Sequence, residues 1–142
     1  MKAEELKRLN LVKTKQGIFY IWAVGKFDVM ICPFLEEEPF QISLSEIEPI
    51  ELTKEWLIKF GLRRNKEAEI STYQRWEQPE GDNIGLYFFT FFKNGIGQWI
   101  LRLVFPESKG GLYSPGMNKL MYVHQLQNLY FCLTGQELTI KE

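Results

Sequence analysis

A chain of 142 residues, 45% hydrophobic and 15% aromatic, carries apolar surface enough for one domain, or for two very small ones, which excludes a disordered chain. Its formal net charge of -1 excludes a strong long-range field for gathering nucleic acid or an acidic membrane. No apolar run approaches the roughly 20 residues that span a bilayer, and the opening Met1-Lys-Ala-Glu-Glu-Leu-Lys-Arg8 is too charged for a secretory leader, so a cytoplasmic protein with no membrane partner is expected.

The first fifty residues read as short strands separated by turns. Leu9 to Lys13 is a first strand, ended by Lys15-Gln-Gly17. Ile18 to Val24, β-branched and aromatic, is the second, and Phe27 to Cys32 is the third. Pro33 stops the third, because it has no N–H to give a ladder. Phe40 to Leu44 alternates apolar and polar residues, as a half-buried strand does, and Ile47 to Ile50 is a last short piece. Residues 1–51 are therefore predicted to form an SH3-like barrel or a curled sheet, with Glu36-Glu-Glu38 at an exposed acidic tip.

A helix is predicted over residues 53–60. Thr53 is placed to cap it, Leu52 and Leu57 stand at the hydrophobic-staple positions, and Gly61 stands where a left-handed terminator belongs. Trp56, Leu57 and Phe60 make its apolar face. Beyond a basic turn at Arg63-Arg-Asn-Lys66, strands are predicted at Ile70 to Trp76, Ile84 to Phe92 and Trp99 to Phe105, with an Asn94-Gly95 turn between the last two. Residues Leu112-Tyr113 and Leu120 to Tyr122 supply edge pairing, and Glu137 to Ile140 a short tail strand or docked extension. Over residues 122–134 the apolar positions Tyr122, Val123, Leu126, Leu129, Tyr130 and Leu133 recur at helical spacing. His124, Gln125, Gln127 and Asn128 fall on the other side, Phe131 projects among them, and Gly135 closes the helix. The prediction is an α+β fold, mostly β. Its second part, residues 52–142, is an antiparallel sheet packed with both helices and shares one core with residues 1–51.

Several blocks resemble a known family: Asn10-Leu-Val12, Ile42-Ser-Leu-Ser-Glu-Ile-Glu-Pro-Ile50, Leu52-Thr-Lys-Glu-Trp-Leu-Ile-Lys-Phe-Gly61 and Tyr122-Val-His-Gln-Leu-Gln-Asn-Leu-Tyr-Phe-Cys-Leu-Thr-Gly135. They are similar to small uncharacterised proteins of gut Bacteroides-type bacteria and of their phages and mobile elements. The resemblance covers both ends and the first helix, and little of Arg63 to Asn118. Members commonly carry Arg-Ile-Gly-Asn near the start, where this chain reads Arg8-Leu9-Asn10 and lacks the glycine. The resemblance implies a phage or mobile-element setting; it implies no activity, cofactor or catalytic residue.

Residue chemistry points the same way. His124 is the single histidine, which excludes a catalytic triad or a multi-histidine metal site within one chain. Cys32, between Ile31 and Pro33, lacks the electropositive setting that makes a thiol nucleophilic, and both cysteines read as small buried hydrophobes. Gly95-Ile-Gly97 lacks the third glycine and following helix of a phosphate cradle. No enzyme, no cofactor and no metal is the expectation. The remaining candidate surface is Lys59, Arg63, Arg64, Lys66, Tyr73, Arg75 and Trp76, where aromatic faces interleave with cations as in single-stranded nucleic-acid binders. A basic helix end complementing its own dipole accounts for the same residues. Six acidic and no basic residues between Glu36 and Glu51 would repel phosphate. A protein partner of unknown identity is therefore expected ahead of nucleic acid; oligomeric state is left open.

Overall fold

Alternating apolar residues build the first sheet. The structure, a computed structural model of the chain, describes residues 1–34, 36–64, 75–77, 88–93, 99–104 and 119–141; for 75–77, 88–93, 99–104, 119, 133 and 134 it describes the backbone. Strands β1 (Leu11–Thr14), β2 (Gly17–Val24), β3 (Asp28–Cys32) and β4 (Phe40–Ser43) pair antiparallel in sequence order. Val12 opposes Phe19, Ile21 opposes Ile31, and Val29 opposes Ile42, so residues of one parity meet on one face. Val12, Phe19, Ile21, Val29 and Ile31 are buried there with Leu6 and Ile47. A register shift in β2 between Ile21 and Ala23 falls at Trp22, whose ring lies 4.3 Å beneath the Arg8 guanidinium.

This sheet does not close. After a 3-10 turn at Leu44–Glu46 the chain meets β1 again at one bridge, Lys13 with Glu48, through reciprocal backbone bonds of 2.9 and 2.8 Å. The turn is held by a capping box: the Glu46 carboxylate accepts from Ser43 N–H, and Ser43 Oγ accepts from Ser45 N–H.

By compactness the chain forms two units, Met1–Glu51 with Tyr122–Thr139, and Leu52–Met121 with Ile140–Glu142. In the second, helix α1 (Lys54–Lys59) buries Trp56 and Leu57, and Phe60 directly after it, as its spacing predicts. Thr53 stands at the N-cap, but its side chain makes no capping bond. The other end carries a Schellman pair, Leu62 N–H to Leu57 O at 2.9 Å and Gly61 N–H to Ile58 O at 2.8 Å, with Gly61 at φ +82°. Strands β5 (Arg63–Arg64), β6 (Arg75–Glu77), β7 (Phe88–Lys93), β8 (Trp99–Val104) and β9 (Lys119–Leu120) form an antiparallel sheet in sequence order. The predicted strand segments 70–74 and 84–87, the Asn94-Gly95 turn, Phe105 and Leu112-Tyr113 lie outside the described residues.

Helix α2 (Val123–Thr134) differs most from expectation. Its spacing predicts packing with the second sheet; by compactness it belongs to the first unit, to which its backbone and side chains bond. Val123 N–H donates to Ile50 O at 2.9 Å, Tyr122 bridges Glu51, and the helix packs against β1. The residue parity is different too. Val123, Leu126, Gln127 and Tyr130 are buried at i, i+3, i+4 and i+7, and His124 is buried beside them. Gln127 thus lies on the face that packs, not on the polar side. Phe131 is 39% exposed, with Lys7 Nζ of the N-terminal segment 4.1 Å above its ring.

The reason lies in hydrogen bonding. Gln127, 1% exposed, accepts from Leu11 N–H at 2.8 Å and donates to the carbonyls of Leu9 and Leu138 at 3.1 Å each. Beside it, Asn10, 0% exposed, accepts from Lys7 N–H at 2.9 Å and donates to Asn128 Oδ1 at 2.8 Å, while Asn128 donates to Glu5 O at 2.9 Å. These amides satisfy backbone groups that no strand partner reaches, which is why a helix rich in Gln and Asn belongs beside this strand. Leu9 sits at φ +72°, a left-handed conformation that favours glycine.

Two outcomes follow from this geometry. Gln127→Leu leaves three buried backbone groups without partners, and the expected loss is about 3 kcal/mol or more in reversible denaturant unfolding. A loss under about 1 kcal/mol would show that water replaces the amide at no great cost. Leu9→Gly is expected to leave stability within about 1 kcal/mol of the parent or above it, whereas Leu9→Val loses roughly 1–2 kcal/mol, because a β-branched residue tolerates positive φ worst. The reverse order would remove the strain reading.

Candidate functional site

Strand pairing in the second unit gathers part of the basic surface. The chain leaves the Schellman end of α1 directly into β5, where Arg63 and Arg64 are both exposed. The register sets Arg63 opposite Glu77 and Arg64 opposite Trp76, and then Arg75 opposite Phe92 and Trp76 opposite Phe91. Arg63, Arg64, Arg75 and Trp76 therefore stand on two adjacent strands, with a carboxylate residue paired into the set. Lys59 is exposed, and its ammonium sits 4.4 Å over the Trp56 ring of its own helix. Lys66 and Tyr73 lie outside the described residues.

A second surface arises in the first unit, where the open sheet leaves its inner face reachable. A groove of about 700 Å³ runs between the β1–β2 hairpin and the β4 and 3-10 segment. Ile31, Phe40 and Ile42 form its apolar part; Phe40 is 39% exposed and meets Phe19 edge-on at 5.6 Å between ring centroids. Lys13 and Lys15 of the hairpin and Glu46 and Glu48 of the return segment line the groove as well, with Lys13 and Glu48 paired through their backbones. All four are exposed, and among the described residues none forms a salt bridge. The volume is in the range of natural ligand clefts, and the mixture of apolar floor and charged rim is a binding composition. The alternation Phe40-x-Ile42 and the Ser43-x-x-Glu46 cap are both visible in the sequence; the failure of the sheet to close is not.

The single histidine and both thiols of the chain lie among the described residues. His124 is 2% exposed and stacks on the Tyr122 ring at 5.8 Å, and its buried Nδ1 has no hydrogen-bond partner among the described residues. Burial holds its pKa below the ordinary 6.5, against a smaller upward pull from Glu5 and with a small further push down from the N-terminal amine. Cys32 is buried, its thiol is pushed up by burial, and its Sγ is 3.9 Å from Tyr20 O. Cys132 is exposed on α2, contrary to the expected burial, because it falls on the solvent side of the rotated helix. Among the described residues no three of His, Cys, Asp and Glu gather as a metal site, and no helix is long and apolar enough to cross a membrane. Comparison with family models, curated proteins and solved structures finds no match.

Since the folded pKa of His124 lies below the unfolded one, the unfolded chain binds the proton first as pH falls. Its contribution is complete above about pH 6.5 and is lost below, down to the folded pKa, with a slope of at most about 1.4 kcal/mol per pH unit. His124→Phe, which keeps a ring against Tyr122, is expected to flatten stability between pH 7 and pH 5. An unchanged slope in urea unfolding across that range would assign the pH dependence to other groups.

Proposed function

We propose that the chain is a non-catalytic binding module that acts through protein contacts, an accessory protein of a phage or mobile element. The observation that carries this reading is the groove on the first unit: an apolar floor left open by the sheet, rimmed by cations and carboxylates without ion-pair partners among the described residues. Protein surfaces offer the mixed apolar and two-signed character that such a groove matches. The curled sheet with its 3-10 turn and its single return bridge to β1 supports an SH3-like arrangement as part of this proposal. The resemblance of the 42–50, 52–61 and 122–135 blocks supports the genomic setting.

The second reading is single-stranded nucleic-acid binding on Arg63, Arg64, Arg75 and Trp76, favoured by their gathering on β5 and β6. Glu77 opposite Arg63 and the -1 net charge weigh against it. Titration of labelled single- and double-stranded oligonucleotides at two salt concentrations separates the two readings. Absence of binding up to high micromolar protein is the expected result. Salt-sensitive micromolar binding that is lost in Arg63→Glu/Arg64→Glu would establish the second reading instead.

A further inference from the structure

We propose that the first unit is the binding module of this chain and is self-sufficient: Met1–Glu51 and Tyr122–Thr139 fold and hold the groove open without residues 52–121, which are an insertion. That the groove is the binding surface rests on the protein-contact reading; the self-sufficiency does not.

The unit supplies its own core and pairs its own edge. The buried cluster on the inner face of the first sheet comes entirely from residues between Leu6 and Ile47. The residues that line the groove lie between Lys13 and Glu48. Backbone that β1 turns away from β2 is satisfied from the same unit, by Gln127 at Leu11 N–H and Leu9 O, and by Glu48 at Lys13. A body with its own core and its own paired edge opens and closes as one cooperative piece.

The point of insertion is closed. The chain leaves the unit at Glu51 and returns at Tyr122, and these two residues face one another as an antiparallel bridge. Val123 N–H donates to Ile50 O at 2.9 Å on one side of the bridge, and Leu52 N–H to Met121 O at 2.9 Å on the other. Exit and return therefore stand about one strand spacing apart, roughly 5 Å, and such a pair carries a short turn or a whole inserted segment alike. The entropic cost of closing a longer connection grows only as the logarithm of its length.

The candidate surfaces divide in the same way. The groove belongs to the first unit, whereas Arg63, Arg64, Arg75 and Trp76 all belong to the second. Each surface is built from the strands of one unit, so the first can form while the second is lost.

The test unfolds the full-length ¹⁵N-labelled protein in urea, read amide by amide, with one destabilising change in each unit. Gln127→Leu is expected to lower the midpoint of Leu11, Ile21 and Ile31 by about 1 M or more and to leave that of Leu57 and Phe60 unaltered. Leu57→Ala, which empties a fully buried site in α1, is expected to do the reverse. It is also expected to leave the amide shifts of Thr14, Ile31, Phe40 and Ile42 at their parental positions, even where it unfolds its own unit outright. A common midpoint that moves for every amide with either change would overturn the proposal, and so would loss of the groove shifts in Leu57→Ala. Neither result touches the protein-contact reading, which the oligonucleotide titration tests separately.

Discussion

The Gln127 side-chain amide is the contact on which the arrangement of the first unit depends. A strand at the edge of an open sheet leaves N–H and C=O groups facing outward, and burying them unpaired costs more than most side-chain contacts return. Here one carboxamide answers a donor and two acceptors at once: Leu11 N–H, Leu9 O and Leu138 O. It joins the start of β1, distant in sequence, to helix α2 and to the segment that follows the helix after Gly135. Asn10 and Asn128, the next residues after Leu9 and Gln127, continue the same job, reaching the backbone of Lys7 and Glu5. Helix α2 is therefore held to β1 in a fixed rotation, since a slip of one residue would turn Gln127 away from all three groups.

Leu9 shows what that fixation demands of the backbone. Its left-handed φ sends Leu9 N–H to Ile21 O at 2.7 Å, and leaves Asn10 O to accept from Ile21 N–H at 2.8 Å, so two β1-side residues serve one residue of β2. The same bend turns Leu9 O toward Gln127. A leucine in that conformation is strained by roughly 1–2 kcal/mol, an amount that the surrounding bonds can hold in place. Lys7 adds a further tie, with its ammonium 2.6 Å from Glu137 and over the Phe131 ring.

Much of this fold is legible in the residues. The four strands of the first sheet and helix α1 follow from alternation, Pro33, the Leu52–Leu57 staple and Gly61, each a local rule acting on neighbours in sequence. The partner of α2 is not legible in that way. Hydrophobic spacing names the apolar arc but treats glutamine as a solvent residue, and Gln127 at i+4 from Val123 is buried because distant backbone needs it. Spacing also sets His124 on the polar side, whereas it is buried with its ring stacked on Tyr122. The candidate basic surface is legible as a composition, and the β5–β6 register explains how Arg64 comes to oppose Trp76; Glu77 opposite Arg63 depends on a register that no local pattern sets. The groove has the weakest trace of all, because it is a gap, made by a strand return that bridges β1 once at Lys13 and Glu48 and goes no further.

Groove and amide network are two consequences of one open sheet. On the outward edge of β1, side-chain amides from α2 and the Glu48 bridge close the backbone; at β4 the inner face stays reachable, with Phe40 half exposed at its mouth. Native-state amide hydrogen exchange tests the central claim most directly, through the Leu11 N–H. Its acceptor is a side chain, and a side chain on a mobile helix would protect it poorly. If Gln127 fixes α2 to β1, the Leu11 amide exchanges as slowly as Ile21 N–H, which is bonded to backbone in the middle of the sheet. Exchange of Leu11 at the rate of the exposed turn residues, with Ile21 still protected, would contradict the account.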